Sequence, residues 1–198
     1  MTVIILHGLG RTADSMLILA RRLERAGFHT IRINYPSNAL SVAALADLRE
    51  PTLPKTGRVD FVGHSTGGVL AKHLMRRVPK ARQGRIVQLG APNFGSEIAY
   101  RADIFEPQLG PALADMRPNP GTDDTGLDIG AIAGTAALPA LTWLTGVKGE
   151  NDGKVSVKSA WGHAPPEKRI KFRLPHATMM HDKDVAAATI KFLRSGAF

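Results

Sequence analysis

A chain of 198 residues, 43% hydrophobic and 22% charged, has the composition of an ordinary globular domain and can bury a core without disulfides or metals. It contains no cysteine, which excludes a disulfide framework, a thiol nucleophile and cysteine-ligated zinc. The formal net charge of +9 raises an anionic partner, but no nucleic-acid motif accompanies it and only 6% of residues are aromatic, so little is available for base stacking.

Residues 2–6 (Thr-Val-Ile-Ile-Leu) read as a fully buried strand rather than a signal, because no basic segment precedes them and they run straight into His7-Gly8. No stretch approaches the roughly 18 apolar residues of a membrane span. The expectation is a cytoplasmic protein, or a mature form whose leader has been removed. Residues 12–26 carry Met16, Leu17, Leu19, Ala20 and Leu23 near helical spacing, with Gly27 as the stop. A second strand follows at 28–33, then a helix over 41–50 opened by Ser41 and closed by Pro51.

The apolar run Val59-Asp60-Phe61-Val62 leads into Gly63-His64-Ser65-Thr66-Gly67, and a helix is predicted from there to Val78, before Pro79. Strand, Gly-x-Ser-x-Gly, helix is the pattern of a nucleophile elbow, in which the serine is lifted above the sheet edge. Small residues at 63, 67 and 68 suit a strained turn whose helix must pack close to the strand. No acid falls between Asp60 and Glu97, whereas Lys72, Arg76, Arg77, Lys80, Arg82 and Arg85 do. This stretch reads as a solvated basic helix face, with contact to a membrane or anionic surface as the functional alternative.

A strand is expected at 85–90. The segment 97–127, rich in Pro, Gly and Asp, is a lid or binding-loop candidate with short helices around 97–103 and 108–115. A further strand is predicted at 128–134, with Trp143-Leu144 as a second, lower-ranked candidate. A strand at 168–174 and a helix at 184–195, ending before Gly196, complete the chain. Strands alternating with helices imply βαβ units in a mostly parallel sheet covered on both faces. No repeat or linker divides the chain, so residues 1–198 are expected to form a single domain.

A serine hydroxyl needs a base to become a nucleophile, and the base is usually a histidine oriented by a carboxylate. In the hydrolase arrangement the order along the chain is Ser, acid, His. Of the seven histidines, only His163, His176 and His181 lie far enough after Ser65 for an acid to intervene. His176 follows the last predicted strand by two residues, His181 lies five further on, and His163 precedes that strand. For the acid, Asp152 sits in Asn151-Asp152-Gly153, which is also a plain turn signal; Asp128 and Glu150 are the alternatives.

His7-Gly8-Leu9-Gly10 follows the first strand, at the sheet edge where the elbow lies. The backbone N–H of Leu9, together with that of Thr66 at the start of the elbow helix, would form an oxyanion hole. His7 reads as a buried imidazole that bonds this loop, and His64 as a structural neighbour of the elbow. No helical His-x-x-x-His or carboxylate cluster joins them into a metal site.

With these residues in place the chain resembles the small bacterial α/β-hydrolase-fold serine esterases and lipases, of a minimal type without a cap. The resemblance rests on Ile5-Leu6-His7-Gly8-Leu9-Gly10, Val62-Gly63-His64-Ser65-Thr66-Gly67-Gly68, Gly90-Ala91-Pro92-Asn93-Phe94-Gly95-Ser96, Asn151-Asp152-Gly153-Lys154-Val155 and the C-terminal stretch. It implies a three-layer α/β fold with a sheet of about six strands and helices on both faces. It implies Ser65, Asp152 and His176 as triad, with Leu9 and Thr66 as oxyanion donors. The chain starts at what would be the family's third strand, and only 97–127 is available as a lid, which suits small soluble or short-chain esters.

The expectation is therefore a carboxylic-ester hydrolase working through an acyl-enzyme on a small-molecule ester, with no cofactor, no metal and no nucleic acid. A thioesterase or amidase would use the same parts, and a non-catalytic ligand-binding protein on the same fold is the alternative from another class. Nothing in the sequence fixes the oligomeric state.

Overall fold

The computed structural model describes residues 1–101, 110–117, 124–137 and 145–198. Among these the chain runs β1 (Thr2–Leu6), α1 (Leu17–Arg25), β2 (His29–Ile33), α2 (Val42–Arg49), β3 (Val59–His64), α3 (Thr66–Met75), β4 (Gln83–Leu89), α4 (Pro111–Ala114), β5 (Asp128–Gly134), α5 (Val157–Trp161), β6 (Arg169–Phe172) and α6 (Lys183–Ser195). The strands form one sheet in the order β2-β1-β3-β4-β5-β6, and every neighbouring pair is parallel.

β1 shows why the sheet must be covered twice. Val3 and Ile5 pack into the core shared with α1 and α6, whereas Ile4 and Leu6 pack into the core shared with α2 and α3. Side chains of a strand alternate between faces, so a strand apolar at every position needs helices on both sides. Burial of each such side chain is worth about 1.5–3 kcal/mol. On one face Leu45, Leu70 and Leu74 meet Phe61; on the other Leu19, Leu23, Phe192 and Leu193 meet Val62 and Val87. The result is the three-layer, six-stranded arrangement expected from the sequence.

The ends of the elements are set locally. Asp182 caps α6 by accepting from the Asp184 and Val185 amides at 2.8 and 3.0 Å, and Gly196 terminates it at φ 82°. α3 stops at Met75, short of Val78, because the next turns tighten: the Arg77 and Val78 amides donate to the carbonyls three residues back, of Leu74 and Met75.

The basic stretch is not a solvated face throughout. The Lys72 side chain is 1% exposed, with its ammonium 3.1 Å from Asp124. Desolvation pulls that amine below the usual lysine range, opposed by the Asp124 charge. Arg77 pairs with Asp47 and Glu50, Arg85 with Asp128, and Arg82 donates to the carbonyls of Pro54, Thr56 and Gly57. Trp143 and Leu144 lie outside the described residues.

All strands being parallel, the segments that follow them gather at one rim. The chain passes from β1 outward to β2 and then returns to β3 on the other side of β1. Loops leaving β1 and β3 therefore diverge, opening a crevice where ligands bind in open α/β sheets.

Candidate active site

Ser65 stands in that crevice at the end of β3. Its φ of 55° and ψ of −127° make it the one non-glycine residue with positive φ among those described. Such a backbone costs about 1–3 kcal/mol and persists only when its surroundings impose it. Here they do. The Ser65 amide donates to the Leu89 carbonyl of β4 at 2.8 Å, and the Ser65 carbonyl accepts from the Gly68 amide at 2.9 Å. The turn is also too tight for side chains: a Cβ on Gly63 would lie 2.3 Å from the Gly67 carbonyl oxygen, and one on Gly67 would lie 2.4 Å from that of His7.

The loop after β1 is fastened beside the serine. Tyr35 donates its hydroxyl to the His7 carbonyl, and its ring stacks on the His7 imidazole at 3.9 Å between centroids. The His7 Nε2 accepts from the Tyr35 amide at 3.3 Å, so Nδ1 carries the proton and donates to the Gly8 carbonyl at 2.9 Å. Burial holds this imidazole below its ordinary value, which keeps it neutral. The Gly10 amide donates to Ser37 and Asn38 at 3.1 and 2.8 Å. His7 is thus a strut, as its sequence context suggested. Leu9 and Thr66 both line the cleft at Ser65, and among the described residues neither backbone amide donates a hydrogen bond.

The acid and the base come from the loops after β5 and β6. His176 Nδ1 lies 2.7 Å from Asp152 Oδ2, with the two side chains 5% and 0% exposed. A carboxylate only accepts, so Nδ1 carries the proton and Nε2 keeps a free lone pair. The Asn-Asp-Gly turn fixes the carboxylate: Asp152 Oδ1 accepts from the Lys154 and Val155 amides at 3.0 and 2.8 Å, and Asn151 Oδ1 accepts from Gly153 at 2.8 Å. The His176 amide donates to the Asp152 carbonyl at 3.0 Å, tying the two loops together. Ser65 and His176 line one cleft of about 100 Å³.

The other candidates lie elsewhere. Asp128 is held by Arg85 and Lys168 at 2.9 and 2.8 Å, at the opposite end of β5. Glu150 pairs with Lys171 at 2.6 Å. His181 is exposed and contacts the Ser15 carbonyl at 3.2 Å, and the His163 ring packs edge-on against Phe94 at 4.9 Å.

Two contributors were not legible as site residues. His64 donates from Nε2 to the His176 carbonyl at 2.9 Å, while its Nδ1 is buried without a partner. Burial, and then the charge of a protonated His176, hold it well below the usual histidine value, so it acts as a neutral clamp. Gly90, at φ 59°, passes so close behind the pair that a Cβ there would lie 3.1 Å from Asp152 Oδ2 and 3.2 Å from His176 Nδ1. Within 97–127 the described parts are a 3₁₀ turn at Glu97–Arg101, α4 and the residues beside them; Ile98, Leu113 and Met116 wall the cleft, and 102–109 and 118–123 lie outside the described residues. Among the described residues no group of three or more His, Cys, Asp or Glu could hold a metal ion.

The fold is shared with solved structures. Mature Bacillus licheniformis lipase BlEst2 superposes with a TM-score of 0.69 at 20% identity, over 100% of this chain and 92% of that one. The pyrethroid hydrolase of Sphingobium faniae JZ-2 gives 0.63 at 13% identity, over 98% and 97%. At such identities the likeness is one of fold. A shikimate dehydrogenase (NADP(+)) of Pseudarthrobacter chlorophenolicus is 33% identical over 101 residues, 46% of this chain and 34% of that protein. The chain spans about a third of the length of the curated relatives it matches. The model of the alpha/beta hydrolase family, by contrast, matches residues 3–193. With that match along nearly the whole sequence, and with the three-layer fold of those structures, the chain belongs to the alpha/beta hydrolase family.

Proposed function

We propose that the protein is a serine hydrolase that cleaves carboxylic esters through an acyl-enzyme. The observation that carries this reading is the 2.7 Å hydrogen bond between Asp152 and His176 beside the strained Ser65 elbow. Ser65 Oγ attacks the ester carbonyl while His176 Nε2 takes its proton, and Asp152 stabilises the imidazolium that forms. The Leu9 and Thr66 amides receive the developing oxyanion, for which their unspent donors are suited. His176 then returns the proton to the departing alcohol. Water, deprotonated by the same nitrogen, attacks the acyl-serine, and the acid leaves as Ser65 regains its proton.

The size of the cleft, about 100 Å³, favours short acyl groups. A panel of 4-nitrophenyl esters from acetate to palmitate tests both parts of the reading. Turnover is expected for the shortest members, falling with chain length and abolished in Ser65→Ala. Activity confined to long emulsified chains would overturn the assignment of substrate length, and turnover that survives Ser65→Ala would overturn the mechanism.

A further inference from the structure

Among the described residues the cleft at Ser65 is lined by two cations and by no free carboxylate. Arg11 lies just beyond the loop after β1, and Lys154 in the turn that carries Asp152; both line the cleft together with Ser65 and His176. Asp152, the nearby carboxylate among the described residues, is 0% exposed and spent on His176 and two amides. The Arg11 guanidinium is steadied by the Ala177 carbonyl at 3.2 Å, a bond that neutralises no charge. The Lys154 side chain is exposed at the mouth, and among the described residues it makes no ion pair. Desolvation and then the Arg11 charge pull its amine below the usual lysine range, opposed by the Asp152 charge, and both cations also bear on His64 beneath the serine. Arg77 and Arg85, by contrast, each pair with a carboxylate. Two like charges kept together at the mouth of a cleft repel each other until an anion sits between them.

We propose that the substrate is an ester bearing an anionic oxygen group, carboxylate or phosphate, which Arg11 and Lys154 hold while the ester carbonyl lies at Ser65. This rests on the ester-hydrolase reading and adds the substrate class. A guanidinium grips such a group through paired N–H donors, and the flexible ammonium closes on it as a point charge. The anionic group can belong to the acyl part or to the alcohol part, and the two are separable by experiment.

For the acyl part, monoethyl glutarate is compared with ethyl valerate, which replaces the carboxylate by a methyl group and keeps the same leaving alcohol. For the alcohol part, 4-acetoxybenzoate is compared with its methyl ester. In at least one arm kcat/KM for the anionic member is expected to exceed the neutral one by about tenfold at low salt, with the advantage shrinking as ionic strength rises. In Lys154→Gln and Arg11→Gln the anionic-to-neutral ratio falls, and in the double variant it approaches one. Equal or better use of the neutral ester in both arms would overturn the proposal while leaving the hydrolase reading intact, as would a ratio untouched in the double variant. A binding measurement without turnover separates the reverse case: Ser65→Ala titrated calorimetrically with monoethyl glutarate and with ethyl valerate should favour the anion. That preference in a protein whose wild type hydrolyses neither ester would uphold the cation pair and sink the mechanism.

Discussion

His64 Nε2 donates a hydrogen bond of 2.9 Å to the backbone carbonyl of His176, a residue 112 positions away in the chain. The residue before the elbow serine thus holds the backbone of the histidine that would serve it. Serine and base are set in one frame, and a shift in either loop is felt by both.

Replacing His64 by Leu removes that clamp and leaves a buried carbonyl unpaired, a loss of about 1–3 kcal/mol in stability. A base displaced by a fraction of an ångström is expected to lower kcat by about 10- to 100-fold with little change in KM. His64→Gln, whose amide can donate to the same carbonyl, should recover part of the loss. If His64→Leu is merely less stable, with kcat at the wild-type level, the imidazole is packing and not a positioning residue.

Asp152→Asn tests the tautomer. The asparagine Oδ1 can keep the Lys154 and Val155 amides, but its NH₂ then faces His176 Nδ1. A donor there forces Nδ1 to accept and moves the ring proton to Nε2, where the base is needed. The expected loss in kcat is about 10²–10⁴-fold with a nearly unchanged melting temperature. Wild-type activity in this variant would mean that the pair is not part of the chemistry.

Gly90→Ala places a methyl group at φ 59°, 3.1 Å from Asp152 Oδ2 and 3.1 Å from the Met179 sulfur. The backbone strain costs roughly 1–2 kcal/mol, and the contact pushes on the Asp152–His176 bond. Activity should fall further than stability alone explains, read as kcat well below the melting limit. A variant of full activity would show that the two loops give way without disturbing the pair.

Three imidazoles couple folding to pH. His7, His64 and His73 are all held below the ordinary value of 6.5, chiefly by burial. As pH falls below about 6.5 the unfolded chain takes up protons at these rings before the folded chain does, so stability present above that value is lost on acidification. A ring that stays neutral contributes up to about 1.4 kcal/mol per pH unit. Urea midpoints measured near pH 7.5 and near pH 5.5 should therefore differ, with the lower midpoint in acid, and His64→Gln should flatten the difference. A midpoint that does not move between them contradicts the assignment.

What the sequence makes legible is what is local. The elbow is readable because strand, turn glycines and helix are contiguous, and the strained serine follows from their spacing. Asp152 is readable because an Asn-Asp-Gly turn both ends a segment and fixes a carboxylate. Partnerships across the sheet are a different matter. Lys72 reads as solvated because its acid, Asp124, lies 52 residues on, in a segment of irregular pattern. The work of His64 is hidden for the same reason, since it depends on the backbone of a distant loop and on no side chain that a motif would name. Gly90 looks like any turn glycine until the pair behind it is in place.

The most direct measurement is intact-mass and peptide analysis after treatment with a fluorophosphonate, which reacts far faster with an activated serine than with other side chains. The account predicts a single adduct, on the peptide containing Ser65, formed by the wild type, lost in Ser65→Ala and strongly slowed in His176→Ala. An unmodified wild-type protein, or an adduct on another residue, would contradict it.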